Sequence, residues 1–355
     1  MRVGIIPAIG AGLQTMAATG QLERLWAHLE AYAPEISFFS YLPPATEWTY
    51  WYDFAKGNSL ERRCITHYPW PAKRLALFWP LVNPRAFRSC EVLRGLNLQA
   101  AVPCLMARII HGIPFVVSHG ADYEAIAQIH GHDGQARKWR WLRQLAFRFA
   151  AAVIVPNPIH AQRLQTRFPQ AKIRHIPNWV DTEKFRPRAF GDGNHLLYVG
   201  RLVKEKNLPR LARVATRLGA LLFCVGDGPE REAIEQAGGH CVGIVPWSVL
   251  PAYYRAARAF VLPSLSEGHP KALLEAMASG LPCAVSARVE GVILHILDGI
   301  LFDPEDEEEM ALAIHLVTGP MGRELGRTAR AKAETLWAKE KVLPREVALL
   351  REIAR

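Results

Sequence analysis

Two carboxylates stand eight positions apart in residues 264–276, where a strand pattern gives way to a helix pattern. Glu267 falls in the connecting loop, and Glu275 falls about one and a half turns into the helix. Pro270 suits the first helical position, which needs no amide donor. Because a helical Cβ tilts toward the N-terminus, both carboxylates can reach one ligand. Such a pair can bind hydroxyl groups or act in proton transfer.

The strand before this pair belongs to a repeated pattern in the second half of the chain. Residues 259–262 are a short apolar run of the kind that buried parallel strands show, and similar runs occupy residues 196–199, 221–225 and 241–242. Each run ends in a polar or glycine-containing loop, and helix patterns separate the runs. We therefore predict a doubly wound α/β domain whose ligand lies beyond the carboxyl ends of its strands.

Two of these loops carry residues suited to an anionic ligand. Arg201 and Lys206 follow the run at 196–199, with Lys206 just ahead of a helix, so two cations can flank an anion near a positive helix end. Gly226 and Gly228 follow the run at 221–225 and permit a close backbone approach. Taken singly, a solvated cation pair and a plain tight turn explain these residues equally well.

Several well-defined ligand motifs do not occur in the sequence. The Gly226 loop lacks the third glycine of the G-x-G-x-x-G dinucleotide fingerprint. There is also no G-x-x-x-x-G-K-[ST], no H-E-x-x-H and no pair of aspartates two positions apart. Nicotinamide binding, ATP hydrolysis and zinc chemistry therefore have no motif here.

Size and charge limit the class of protein. A chain of 355 residues predicts two domains, and its six cysteines form no CxxC pair and are expected to be reduced. The net charge of +10 is concentrated in residues 1–190, which hold 23 Lys and Arg against 12 Asp and Glu. This asymmetry favours an anionic partner, namely nucleic acid, phospholipid head groups or a phosphorylated acceptor, with a merely soluble basic surface as the alternative. No apolar run is long enough to span a bilayer, so we expect a soluble or peripheral protein.

The first half also alternates strand and helix patterns, which predicts a parallel sheet, although no periodicity dominates residues 41–90. A helix near residues 137–149 has an apolar and a basic face. The apolar face holds Trp139, Leu142, Ala146 and Phe149, and the other face holds Arg137, Arg140, Gln144 and Arg148. Such a helix can lie on an anionic membrane, or it can be a core helix with a solvated basic face.

In combination and in order, these motifs resemble the retaining glycosyltransferases of the two-Rossmann-domain (GT-B) type, specifically family four. The matching pieces are residues 178–181 with 185–187, 199–201 with 206–207, 225–229 and 263–277. The spacing of Glu267 and Glu275 is the most specific of them. The resemblance is strongest over residues 176–304.

The resemblance implies an α/β GT-B fold with two Rossmann-like domains facing across a cleft. Residues 1–176 would form the acceptor domain, with a C-terminal helix at about 336–355 packing back on it, and residues 177–335 would bind the nucleotide-sugar donor. The implied enzyme is a retaining, metal-independent transferase that moves a hexose-type sugar from a UDP- or GDP-linked donor to a hydroxyl acceptor, in cell-surface polysaccharide or glycolipid synthesis. It needs no cofactor.

The implied partners are the nucleotide sugar and a carbohydrate or lipid-linked acceptor, with an anionic membrane surface as a further option and no nucleic acid. The implied location is cytoplasmic, with peripheral attachment to the inner face of the membrane as the alternative.

The resemblance also assigns roles to individual residues. The equivalents of Arg201 and Lys206 bind the donor diphosphate in place of a metal, that of Glu267 faces the sugar hydroxyls, and that of Glu275 takes the ribose hydroxyls. The remaining assignments are Gly226 and Gly228 in a donor loop, Val245 near the base, Gly268 and His269 near the sugar, Gly12 in the first glycine-rich loop, and His119 reaching the donor sugar from the first domain. No metal ligand is implied.

Other matches and departures complete the resemblance. Arg94 and Asn97 resemble an Arg-x-x-Asn feature of members that act on surface polysaccharides. His269 stands where a bulky apolar residue is common, and residues 287–291 lack the usual glycine pair.

Two other functions are compatible with parts of the sequence. A nucleotide-sugar epimerase of the same architecture would give a free sugar or a new isomer without an acceptor. A nucleic-acid-binding protein would use the basic first half, and its affinity would fall steeply with salt.

Overall fold

The computed structural model describes residues 1–32, 35–55, 62–66, 71–187 and 193–354. The chain forms two compact units, each built from more than one segment. The first unit contains Met1–Gly120, Arg137–Ile176 and Leu343–Arg355, and the second contains Ala121–Ala136 and Pro177–Val342.

A seven-stranded, fully parallel sheet forms the core of the first unit. Its strands are β1 (Arg2–Ile6), β2 (Glu35–Ser40), β3 (Arg62–Thr66), β4 (Val92–Gly95), β5 (Phe115–Ser118), β6 (Ala152–Val155) and β7 (Ile173–His175). They are arranged in the order β3-β2-β1-β4-β5-β6-β7. Val3 of β1 pairs with Ile36 on one side and Val92 on the other. Both neighbours are buried, as expected for a sheet with helices on both faces.

Nine helices accompany these strands in the part of the chain described up to residue 187. They are α1 (Leu13–Ala18), α2 (Leu22–Glu30), α3 (Pro44–Ala55), α4 (Ala72–Val82), α5 (Pro84–Arg88), α6 (Ala101–His111), α7 (Tyr123–Ile129), α8 (Asp133–Phe149) and α9 (Pro158–Arg167). Helix α7 belongs to the second unit, and α8 begins there. The stretch 41–90 has no dominant periodicity, and those of its residues that the structure describes form three helices and β3.

The second unit contains a six-stranded parallel sheet. Its strands are β8 (His195–Val199), β9 (Leu221–Val225), β10 (His240–Gly243), β11 (Ala259–Leu262), β12 (Cys283–Ser286) and β13 (Ile300–Phe302). Besides α7, the described helices of this unit are α10 (Leu208–Arg217), α11 (Arg231–Gln236), α12 (Leu250–Ala256), α13 (Lys271–Ala278), α14 (Glu307–Thr318), α15 (Gly322–Leu336) and α16 (Lys339–Ile353), the last of which ends in the first unit. Helix α10 shows why these segments pack: Leu208, Leu211 and Ala212 form a buried apolar face against the sheet.

Both sheets share one strand order. The second runs β10-β9-β8-β11-β12-β13, which repeats the order of the first six strands of the first sheet. In each sheet the order reverses next to the first strand, between β1 and β4 and between β8 and β11. Two Rossmann-like α/β units are therefore present, which confirms the predicted fold class. In such sheets ligands bind outside the carboxyl ends of the strands at the point of reversal.

A buried ion pair ties α16 to the first sheet. Arg94 on β4 is 3% exposed, and its Nε donates to Oε1 of Glu346 at 2.5 Å. Burial alone raises the pKa of Glu346, but the charge of Arg94 and the bonds from His28 and Tyr32 hold that pKa far below its ordinary range. Arg94 also donates to Ser118 Oγ at 2.7 Å. In this structure Arg94 therefore has a packing role at the sheet centre.

Asn97, the other member of the Arg-x-x-Asn feature, caps a short turn. Its side-chain oxygen accepts from the Ala100 amide at 3.3 Å, at the start of the 3-10 turn Leu98–Ala100. This is an ordinary N-cap bond, which satisfies an amide that the turn leaves without a partner.

Candidate functional site

The point of reversal in the second sheet joins two of the predicted site residues. The loop after β8 forms a 3-10 turn over Lys204–Lys206, and the loop after β11 carries Glu267. Lys206 Nζ pairs directly with Glu267 Oε1, and Ser264 Oγ donates to the same oxygen at 3.4 Å. Both members of the pair are largely buried, with side chains 11% and 17% exposed. A cation and an anion thus connect the two loops that flank the reversal.

Arg201 is the second cation of this edge, and it is accessible. Its side chain is 70% exposed, and its Nη2 lies 3.3 Å from Glu205 Oε1. A guanidinium carries five N–H donors in a fixed plane, so one contact with Glu205 leaves the others available to an anionic ligand.

Glu205 is a buried carboxylate that the sequence analysis did not identify. Its side chain is 2% exposed, and its Oε2 lies 2.9 Å from His130 Nε2. Burial raises the pKa of Glu205, but the bond from His130 and the charges of Arg201 and Lys206 outweigh burial and bring that pKa below its ordinary value. His130 lies 75 positions away in sequence, which is why no local pattern links the two residues.

The glycine loop after β9 packs directly on the loop after β8. The Gly200 amide donates to Val225 O at 2.9 Å, and the Leu202 amide donates to Asp227 O at 3.0 Å. A Cβ on Gly226, which has φ +140°, would overlap the carbonyl oxygen of Gly200. A Cβ on Gly228 would likewise overlap the Leu202 carbonyl. These glycines are required for the contact that fixes the backbone beside Arg201.

Glu275 lies on α13 and is held by two hydrogen-bond donors. Trp247 Nε1 donates to its Oε1 at 3.1 Å, and the Tyr254 hydroxyl lies 3.0 Å from its Oε2. The carboxylate is buried, with the residue 4% exposed. A carboxylate only accepts hydrogen bonds, so the chemistry of this group suits ligand hydroxyls. Trp247 and Tyr254 are further site residues that the sequence analysis did not identify.

Val245 and Trp247 come from the same loop. Val245 is half-buried two residues after β10 ends, and Trp247 is 4% exposed. The loop assigned to the donor base is therefore attached to the carboxylate assigned to the ribose. Trp247 lies only two residues after Val245 in the sequence, and this closeness to a predicted site residue could have identified it as part of the site.

Gly268 and His269 lie just ahead of α13, and both are buried. The His269 carbonyl accepts from Asn178 Nδ2 at 2.6 Å. Its ring meets Trp337 edge-on, with centroids 5.5 Å apart and planes at 81°. The imidazole thus fills a packed position, which explains how a histidine stands where a bulky apolar residue is common.

His119 lies in the first unit, directly after β5. It is 7% exposed, and its amide donates to Ile154 O at 2.8 Å. Its ring meets Phe147 edge-on at 5.4 Å between centroids. The ring is therefore held in a fixed orientation at the carboxyl edge of the first sheet.

Gly12 also lies in the first unit, immediately before α1. A Cβ there would overlap the Ser40 hydroxyl and approach the carboxylate of Glu47. Glu47 is fully buried and accepts from the Leu13 amide at 2.7 Å and the Gln14 amide at 3.1 Å. Glu47, which no sequence pattern indicated, therefore holds the first glycine-rich loop in place.

Among the residues that the structure describes, no three or more His, Cys, Asp or Glu side chains form a group suited to a metal ion. Among the same residues, no helix has the length and apolar character needed to cross a membrane.

Replacing Tyr254 with Phe should destabilise the second unit, because a buried carboxylate loses a donor while the ring packing stays. A hydrogen bond to a charged group contributes about 1.5–3 kcal/mol, so we expect a loss of that size in the free energy of unfolding. Urea denaturation measures it. The control is Tyr253→Phe, which changes a half-buried neighbour on the same helix. Equal stability of the two variants would contradict the role given to Tyr254.

Family models match both halves of the chain, and curated proteins match part of it. A model described as "Glycosyltransferase Family 4" matches residues 52–184, and one described as "Glycosyl transferases group 1" matches residues 193–318. A GDP-mannose-dependent alpha-mannosyltransferase of Mycolicibacterium smegmatis is 31% identical over 229 residues, covering 57% of this chain and 59% of the relative. An Escherichia coli UDP-Gal:alpha-D-GlcNAc-diphosphoundecaprenol alpha-1,3-galactosyltransferase is 32% identical, covering 41% and 45%. The chain thus spans about half the length of these relatives.

Solved structures extend the match to the whole chain. The sucrose-phosphate synthase of Thermosynechococcus elongatus superposes with a TM-score of 0.80 at 18% identity, covering 99% of both chains. Anabaena Alr3699/HepE in complex with UDP gives 0.75 at 16% identity, covering 99% of this chain and 100% of the other. At these identities the likeness shows the fold, and the family models show the relationship. The chain belongs to the GT-B glycosyltransferases of group 1 and family 4.

Proposed function

We propose that this protein is a retaining glycosyltransferase that moves a hexose-type sugar from a UDP- or GDP-linked donor to a hydroxyl acceptor. Residues 177–335 would bind the donor, and residues 1–176 with the C-terminal helix would bind the acceptor. The products would contribute to cell-surface polysaccharides or glycolipids, and the reaction would need neither metal nor cofactor.

One observation carries the donor site: Arg201 and Lys206 stand together at the point of reversal of the second sheet. Lys206 is paired with Glu267, and most of the Arg201 side chain is exposed to solvent. A diphosphate leaving group develops negative charge as the sugar departs, and fixed cations stabilise that charge. Two cations close to the start of α10 supply this stabilisation directly from the protein.

The neighbouring groups suit the rest of a nucleotide sugar. Glu275 is a carboxylate that can accept from ribose hydroxyls, and Glu267 can accept from sugar hydroxyls. Val245 offers an apolar contact to the base from the loop that Trp247 anchors to Glu275. His119, buried and oriented by Phe147, would act on the donor sugar, and Gly12 would line the first loop.

The proposed chemistry is a front-face displacement. The acceptor hydroxyl oxygen forms a bond to the anomeric carbon on the face from which the diphosphate leaves, so the configuration is retained. The bond from that carbon to the phosphate oxygen breaks with its electron pair, and the departing phosphate oxygen takes the acceptor proton. In this scheme Glu267 positions the sugar and forms no covalent intermediate, so a trapped glycosyl-enzyme at Glu267 would overturn it.

Relatives support the donor and acceptor classes. The names of two relatives specify GDP-mannose and UDP-Gal as donors, and the second also specifies a diphosphoundecaprenol-linked sugar as the acceptor. We extend both ideas to this chain: a nucleotide sugar as donor, and a carbohydrate or lipid-linked acceptor.

A membrane-proximal acceptor fits the exposed face of α8. Trp141 is 63% exposed, and Arg137, Lys138 and Arg148 fall on the same helical face and are also exposed. The apolar face inferred from the sequence needs one correction, because Phe149 is 43% exposed. An exposed tryptophan among cations suits the interface of an anionic bilayer, so we propose a cytoplasmic enzyme attached peripherally to the inner face of the membrane.

Donor binding should raise the melting temperature of the protein, because a ligand that binds only the folded state stabilises it by mass action. We expect UDP, GDP or one of their sugars, at about 100 times its dissociation constant, to add about 2.7 kcal/mol. Thermal-shift measurements over such a panel check this. A panel in which no nucleotide or nucleotide sugar shifts the melting temperature would refute the donor site.

With the donor identified, Arg201→Ala should lower kcat/KM by on the order of 10²–10³, as expected for the loss of a group that stabilises charge in the transition state. The matched control is Arg213→Ala, since Arg213 is also an exposed, ion-paired arginine of the second unit.

Product analysis separates the proposal from an epimerase, which would give a free sugar or an isomer without an acceptor. If the protein bound nucleic acid but no nucleotide sugar, it would instead be a nucleic-acid-binding protein that uses its basic first half.

Vesicle flotation should show the protein on bilayers that contain phosphatidylglycerol and not on pure phosphatidylcholine, with binding weakened by salt. Each cation near the surface contributes about 1 kcal/mol. Trp141→Ala should reduce binding, whereas Leu312→Ala, which removes an equally exposed apolar side chain from the second unit, should not. If the two substitutions reduced vesicle binding equally, α8 would not be the membrane-binding surface.

A further inference from the structure

We propose that Glu205 and His130 form a positioning pair that orients Arg201 toward the diphosphate of the donor. The proposal rests on the donor site described above and adds two residues to it. Neither residue needs to touch the ligand, since both act through the guanidinium of Arg201.

Glu205 has the burial and contacts that a positioning residue needs. It is 2% exposed, and its two carboxylate oxygens serve different partners: Oε1 faces Arg201 Nη2 at 3.3 Å, and Oε2 faces His130 Nε2 at 2.9 Å. Two partners on opposite oxygens fix the plane of the carboxylate. That fixed plane in turn restricts the guanidinium of Arg201, whose side chain is 70% exposed and would otherwise sample many rotamers.

The backbone of Glu205 holds the same turn against the other half of the site. The Leu265 amide donates to the Glu205 carbonyl at 2.9 Å, and Leu265 lies two residues before Glu267. Lys206, the next residue after Glu205, pairs with Glu267. The loop after β8 therefore carries both cations, and Glu205 contacts Arg201 through its side chain and Leu265 through its backbone.

His130 reaches this turn from a helix of the same unit. It follows α7, which packs against the turn Lys204–Lys206, and its amide donates to Ile126 O at 3.2 Å. The ring is stacked near His132, with centroids 6.2 Å apart and planes at 19°. The helix end thus delivers an N–H donor to Glu205 from a defined direction. A bond between Nε2 and a carboxylate requires the proton on Nε2, which fixes the tautomer of a neutral His130.

The direction in which Glu205→Gln changes the affinity for diphosphate distinguishes a positioning role from a purely electrostatic one. Glu205 is an anion next to a proposed anion site, so charge alone predicts that its removal strengthens diphosphate binding. A positioning role predicts the reverse. Glutamine in its place keeps the shape but puts an NH₂ donor where one of the two oxygens stood, so either His130 or Arg201 loses the oxygen it faces.

The experiment measures binding by isothermal titration calorimetry with UDP and GDP, and with uridine and guanosine as probes that lack phosphate. We expect Glu205→Gln to weaken the better-bound diphosphate by about tenfold. Binding of the matching nucleoside should stay unchanged, because the nucleoside does not reach Arg201. The control Glu305→Gln removes an exposed carboxylate that also pairs with an arginine, Arg288, and should change neither affinity.

His130→Ala provides an independent variant, since His130 is 34% exposed and its removal leaves no large buried gap. It should weaken diphosphate binding in the same direction. In the double variant the two effects should not add, because both act through the orientation of Arg201. If Glu205→Gln destabilises the protein, which a lower melting temperature would reveal, His130→Ala alone tests the positioning role.

The outcomes separate the two levels of the proposal. Unchanged or tighter diphosphate binding by the variants, or an equal loss for nucleoside and diphosphate, overturns the positioning role and leaves the donor site standing. Wild-type protein that binds neither UDP nor GDP overturns the donor site, and the positioning role with it.

Discussion

The ion pair between Lys206 and Glu267 is the interaction on which the proposed site depends. It joins the loops that follow β8 and β11, the two strands between which the order of the second sheet reverses. Parallel strands place these loops at one edge of the sheet, but the strand order alone does not fix the orientation of their side chains. The ion pair fixes the orientation of Lys206 and Glu267. A phosphate that binds Lys206 must therefore compete with Glu267, whose carboxylate can accept from sugar hydroxyls instead.

Backbone packing supports this pair from the other side. The loops after β8 and β9 exchange backbone hydrogen bonds, and a side chain at Gly226 would push them apart. Glu205 then links the turn that bears Lys206 to Arg201, and Trp247 and Tyr254 hold Glu275. The exposed cation thus stands on a rigid base, which is how a site keeps its geometry while part of it faces solvent.

Much of this arrangement is predictable from the sequence because it is local. Apolar runs that end in glycine and polar loops predict the second sheet and the edge that binds a ligand, and the spacing of Glu267 and Glu275 identifies the helix at that edge. Residues 41–90 were not predicted, because α4 exposes Leu77, Phe78 and Leu81 and so shows no amphipathic pattern. The sequence did not predict the partners Glu205, His130 and Glu47 for a different reason. Each acts across a long sequence separation or through burial, and a single sequence records neither.

The most direct test of the central claim is a crystal structure of the protein with bound UDP or GDP. Oxygens of the diphosphate should lie within hydrogen-bonding distance, about 2.7–2.9 Å, of Arg201 and Lys206, with Glu205 still beside Arg201. The ribose hydroxyls should contact Glu275. A diphosphate bound away from both cations, with Lys206 still paired only to Glu267, would contradict it.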